Sequence, residues 1–70
     1  MSPDWPLMRH ILAELAADDG LADAEIAERL GRPVADVRQA SRVLYRQHKV
    51  DFVLGYLVAV PPAGGGRRAA

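Results

Sequence analysis

Apolar residues recur along the first two thirds of the chain at helical spacing and then gather into a strand-like cluster after residue 50. Leu7, Met8, Ile11, Leu12 and Leu15 fall on one side of a helix. Pro3 and Pro6 fit its start, because a first turn does not need the missing N–H, and Ser2 or Asp4 supplies the N-cap. Met1–Asp4 reads as a leader, and the helix is expected to stop near Asp18–Gly20, with Gly20 as the break. A short second helix spans Asp23 to Leu30, with Ile26, Ala27 and Leu30 on its apolar side and Asp23 and Glu25 in the first turn, where the dipole favours negative charge. Ala22 is a weak cap for it. After the tight break Gly31-Arg32-Pro33, a third helix runs from about Val34 to about His48. Val37, Ala40 and Leu44 form its buried stripe, Arg38, Gln39, Arg42 and Arg46 lie on the other side, and Val43 and Gln47 flank it.

Residues 50–60 are rich in β-formers around Gly55: Val50, Phe52, Val53, Leu54, Tyr56, Leu57, Val58 and Val60. They read as a two-stranded hairpin turning at Leu54–Gly55 and ended by Pro61-Pro62. The pattern therefore predicts a mainly α domain of three helices with a small β-hairpin over residues 1–62, and a flexible glycine- and arginine-bearing tail over 63–70.

Size and composition narrow the function. A chain of 70 residues buries only about 60% of its unfolded surface. It has no cysteine, so neither a disulfide nor a thiolate metal site. The apolar run Phe52 to Val60 is too short to span a bilayer, and no cationic-then-apolar leader opens the chain. A soluble, cytoplasmic protein is expected. An ordinary catalytic pocket, about 300 Å³ or more, would take up much of so small an interior. Ser2, Ser41, Tyr45 and Tyr56 have no His-plus-acid arrangement near them in sequence, and His10 and His48 are far apart. Neither an enzyme, a metal site nor a cofactor is expected. Asp18-Asp19 before a glycine reads as a helix-ending turn, and His48 as a partner of the dipole at a helix C-terminus.

The zero net charge conceals a strong asymmetry. Residues 1–28 carry one cation against seven acids, a net −6, whereas residues 29–70 carry eight cations against two acids, a net +6. Arg38, Arg42 and Arg46 are four residues apart and form one ridge on the third helix. Its only acid, Asp36, sits in the first turn. Such a ridge is either a solvated face or a surface for a polyanion, and the scarcity of acids on it favours the second.

The order helix, helix, tight turn, helix, hairpin is that of a winged helix-turn-helix. Ala27, Gly31 and Val37 stand at the +4 and +6 intervals of such motifs: a small residue where two helices cross, a glycine for the sharp turn, an apolar plug between the helices. The runs Glu25-Ile26-Ala27-Glu28-Arg29-Leu30-Gly31 and Val37-Arg38-Gln39-Ala40 resemble segments of bacterial and phage winged-helix regulators of the GntR and MarR type over about residues 7–60. The effector domain of the first type and the long dimerisation helices of the second have no counterpart here. The resemblance implies a transcription regulator that binds double-stranded DNA with its third helix in the major groove. Arg38, Gln39 and Arg42 are then the candidates for base edges. Arg29, Arg32, Ser41, Arg46 and Lys49, joined by Arg67 and Arg68 from the tail, are the candidates for phosphates.

The hairpin departs from a DNA-contacting wing. Between Lys49 and Arg67 there is no cation, Asp51 is acidic, and both faces are apolar. A two-stranded ribbon buries one face on three helices and leaves the other to a partner. A homodimer is expected, with Trp5, Phe52, Val53, Tyr56 and Val58 near the interface, although Trp5 also serves as a simple anchor of the first helix. The alternative is a protein-interaction module in a larger complex, with little or no DNA binding.

Overall fold

The computed structural model describes residues 4–61. Three helices, α1 (Trp5–Ala17), α2 (Asp23–Leu30) and α3 (Val34–Arg46), precede an antiparallel hairpin of β1 (Val50–Val53) and β2 (Tyr56–Ala59). This is the expected mainly α chain with a small hairpin.

Local chemistry accounts for most of the boundaries. Asp4 caps α1, its Oδ1 accepting the Leu7 N–H at 3.1 Å, and Pro6 sits in the first turn. No side chain of Ala22 caps α2. The Glu25 carboxylate instead accepts the Ala22 N–H at 3.0 Å, which is half of a capping box. Gly31 ends α2 in the left-handed conformation at φ 64°, and Arg32 N–H then reaches back to the Ala27 carbonyl at 3.0 Å.

The third helix stops at Arg46, two residues short of the expected His48. His48 adopts φ 60°, donates its N–H to the Tyr45 carbonyl at 3.0 Å, and is followed by Lys49 N–H to Leu44 carbonyl at 2.9 Å. That pair of bonds satisfies the last carbonyls of α3 as a Schellman cap, and the left-handed position usually held by glycine is occupied by histidine. His48 thus ends the helix through its backbone, a role beside the one expected from sequence.

The core is continuous through all five elements. Leu7, Met8, Ile11 and Leu15 of α1, Leu21, Ile26 and Ala27 of α2 and its approach, Val37, Ala40 and Leu44 of α3, and Val50 and Leu57 of the hairpin form one buried cluster, with Leu12, Leu30 and Val43 packed at its rim. The strands pair Val50 with Ala59, Asp51 with Val58, Phe52 with Leu57 and Val53 with Tyr56. Alternation along each strand therefore sends Val50, Phe52 and Leu57 to one face and Asp51, Val53, Tyr56 and Val58 to the other. Val50 and Leu57 enter the core, while Phe52 at its rim packs tilted against Tyr45 of α3, the ring centroids 5.3 Å apart and the planes at 54°.

The hairpin is also clamped along its outer edge. Leu21, in the α1–α2 connection, forms an antiparallel bridge with Leu57, giving hydrogen bonds of 2.8 and 3.1 Å, and Asp19 accepts the Ala59 N–H at 3.0 Å. The free backbone groups of β2 are thereby paired, which blunts that edge against adventitious strand addition. Asp19, read from sequence only as part of a helix-ending turn, has this second role.

Two outcomes follow. Replacing His48 with glycine removes the left-handed penalty and raises stability by about 1 kcal/mol, seen as a higher urea midpoint at unchanged slope. Ile11→Ala, at a fully buried core position, lowers stability by about 2–5 kcal/mol.

Candidate nucleic-acid interface

The seating of α3 decides what it presents outward. Val37, Ala40, Ser41 and Leu44 are its buried residues. They occupy one stripe, so Arg38, Gln39, Arg42 and Arg46 project from the opposite half of the helix. Together with Ala35 and Val43 they line an open trough of about 430 Å³ along the exposed side of α3. Among the described residues, neither Arg42 nor Arg46 has an acidic side chain within ion-pair distance, and Arg38 has one approach, its Nε lying 3.8 Å from Asp23 Oδ2.

The cations before α3 are in a different state. Arg29, at the end of α2, holds Glu14 at 3.3 Å and Asp18 at 2.9 Å, both from the acidic opening stretch. The hydrogen bonds that it donates to Asp18 and Glu14 raise its pKa above the usual guanidinium value. Arg32 holds Asp4 at 2.8 Å and Asp36 at 3.5 Å, and its pKa is raised chiefly by the Asp4 bond. The same bond from Arg32, with the Leu7 N–H, holds the Asp4 carboxyl below its ordinary range. Each of these two arginines therefore faces two carboxylates, and a phosphate approaching it meets local negative charge. Both keep a third or more of the side chain exposed beside these acids.

Ser41 is a correction. Expected as a phosphate contact, it is fully buried, with Oγ 3.2 Å from Asp23 Oδ1 and 2.9 Å from the Arg38 carbonyl. Burial and internal partners remove it from the surface. Lys49 is exposed just past the end of α3. Arg67 and Arg68, and the proposed tail, lie outside the described residues.

Of the residues assigned to a partner interface, Trp5, Phe52, Val53 and Tyr56 expose a third to a half of their surface, while Val58 is half-buried. Phe52 belongs to the inward face and packs against Tyr45. Sequence reasoning missed Leu54. It is 93% exposed and adopts φ 52° in the two-residue turn completed by Gly55 at φ 84°. Positive φ at both positions is the type I′ arrangement that normally takes Asn-Gly or Asp-Gly. A signal was present in the sequence, since a leucine preceding glycine at the centre of a hairpin contradicts turn chemistry. Asp23 was also missed as a site residue; its contact with Ser41 joins positions 18 residues apart and has no local signature.

Among the described residues no group of three His, Cys, Asp or Glu side chains is placed to hold a metal ion, and no helix is long and apolar enough to cross a membrane. No family model, curated protein or solved structure matches the chain.

The Asp4–Arg32 pairing makes a pH prediction. The Asp4 carboxyl ionises more readily in the folded protein, so its contribution is fully present above the unfolded value near 3.8 and is lost as pH falls through the lower folded value. An acid titration of stability, followed by circular dichroism, will therefore fall less steeply below pH 3.8 in Arg32→Ala than in the parent.

Proposed function

We propose that the protein is a winged helix-turn-helix DNA-binding regulator that lays α3 in the major groove. The observation that carries this reading is the selective pairing of its arginines. The chain has acids enough to neutralise every cation, yet Arg29 and Arg32 take two each, while Arg42 and Arg46 have none among the described residues. A face meant only for solvent gains a little from i,i+4 acid–base pairs; this one forgoes them.

The reading gives α3 a division of labour. Arg38, Gln39 and Arg42 reach base edges, arginine to guanine O6 and N7 and glutamine to adenine N6 and N7. Arg46 and Lys49, at the end of the helix, meet phosphates and fix its register. Arg29 and Arg32 stabilise the scaffold behind the interface.

A specific observation favours a dimer as the working unit. The outward face of the hairpin carries Val53 and Tyr56 beside the bare Leu54, and its one charge is Asp51. A specific interface buries about 1,000 Å² or more in total, and these side chains from each of two copies supply part of its apolar centre. A second copy of this chain is the occupant we favour, since two copies related by a two-fold axis also present two α3 helices to successive half-sites. A hairpin that instead engages a different protein, with DNA binding weak or absent, is the competing reading.

Salt titration of binding to random duplex DNA separates the two. Each neutralised phosphate adds about −0.9 to the log–log slope, so on random duplex Arg42, Arg46 and Lys49, which have no acidic partner among the described residues, give a slope of about −3 per copy; a slope near zero, or no binding at low salt, refutes the DNA reading. Arg42→Ala is expected to lose about 1–3 kcal/mol of sequence discrimination, more than Arg9→Ala. Light scattering addresses the assembly. Leu54→Asn suits the turn and removes its apolar tip, so it should shift a wild-type dimer toward monomer without unfolding it, and a wild-type protein that stays monomeric at high concentration removes the dimer.

A further inference from the structure

One carboxylate sits beside the cationic face of α3, next to a buried hydroxyl. Asp23, the first residue of α2, has Oδ1 3.2 Å from Ser41 Oγ and Oδ2 3.8 Å from Arg38 Nε. Ser41 is the one fully buried polar side chain among the described residues, set in the apolar stripe of α3, and its single hydroxyl proton is shared between Asp23 Oδ1 and the nearer Arg38 carbonyl at 2.9 Å. The Asp23 side chain is 21% exposed and Arg38 54% exposed. The acid thus lies mostly buried between the helices while the arginine it faces reaches into solvent.

The direction of approach matters. Oδ2 meets the guanidinium at Nε, the nitrogen nearest the backbone. At 3.8 Å this is a charge contact and not a hydrogen bond, but it biases where the fork points. With Asp23 behind it, the two terminal nitrogens of Arg38 are left free on the far side, and that pair is one that can bind guanine O6 and N7 together. A long arginine at an exposed position otherwise loses rotamer entropy when it docks. We propose that Asp23, locked by Ser41, is a positioning residue that presents Arg38 for reading a guanine and holds it back from the phosphates. The proposal rests on the DNA-binding reading and deepens it.

A fixed acid beside a DNA-facing arginine acts in two opposite ways. It orients Arg38, which favours the correct base, and it repels phosphates, which disfavours every duplex equally. Removing its charge should therefore lower selectivity and raise non-specific affinity. A purely structural acid has no such signature, since its loss weakens both in proportion.

The experiment selects duplexes from a random pool with the wild type, Asp23→Asn, Arg38→Lys and the double variant, and measures each on the selected and on a scrambled duplex. The wild type should enrich a guanine at one position, and Arg38→Lys, which keeps the charge and loses the planar fork, should lose that preference. Asp23→Asn should weaken the same preference by roughly tenfold and bind scrambled duplex more tightly than the wild type does. The double variant should be no less selective than Arg38→Lys alone, because both changes remove one interaction. Ser41→Ala, which frees the acid without removing its charge, should reduce the preference and leave scrambled binding unchanged. If Asp23→Asn enriches the same guanine as strongly as the wild type, or loses selected and scrambled binding in equal measure, the positioning role is overturned while the DNA-binding reading stands. If the wild type binds no duplex, the reading itself has failed and the positioning role goes with it.

Discussion

The molecule is organised by how α3 is seated. Val37, Ala40, Ser41 and Leu44 lock one stripe of that helix into a core shared with α1, α2 and the hairpin. Helical geometry then leaves no freedom in what faces away: the arginines four residues apart must project together. Packing energy and surface chemistry are two sides of one helix. A slip in the seating of α3 would bury a guanidinium and expose an aliphatic stripe, so the hydrophobic effect that holds the fold also aims the cationic face.

Charge is the second constraint, and it is used locally. Asp4 caps α1 and holds Arg32; Glu14 and Asp18 hold Arg29; Glu25 caps the start of α2; Asp19 ties down β2; Asp51 accepts the N–H of Phe52. The acid-rich opening stretch is thus largely engaged with backbone groups and with the two arginines of the α2 end. These contacts are exposed and individually weak, so their importance is in placement. By engaging Arg29 and Arg32 and not Arg42 or Arg46, they leave the positive charge concentrated on α3. The neutrality of the whole chain says little about the field near that helix, because an approaching polyanion feels mainly the charges within about 10 Å at ordinary salt.

The hairpin shows a different economy. Its inner face is fixed three times over, by Val50 and Leu57 in the core, by the tilted packing of Phe52 against Tyr45, and by the backbone bridge from Leu21 to Leu57. That rigid mounting carries a tip that violates ordinary rules, with an aliphatic side chain almost wholly in water and in a backbone conformation suited to asparagine or glycine. Departures of this kind collect where a protein meets something else, which is the ground on which the tip and the outer face of the ribbon are proposed as an interface.

What sequence alone determined follows from local physics. The helical spacing of Leu7 to Leu15 and of Val37 to Leu44, the breaks at Gly20 and Gly31, the hairpin turn at Leu54–Gly55 and the common side of Arg38, Arg42 and Arg46 all depend on backbone period and turn propensity, which a short window contains. Ser41 was misplaced at the surface, although it lies four residues after Val37 on the buried stripe. What only tertiary structure decided were the pairings that link distant positions: Arg29 and Arg32 with acids up to 28 residues away, Ser41 with Asp23, Leu21 with Leu57. These depend on which surfaces of separate elements meet. Whether a given arginine is spent on the scaffold or left for a ligand is settled by that meeting, because a carboxylate counts only if folding brings it within a few ångströms.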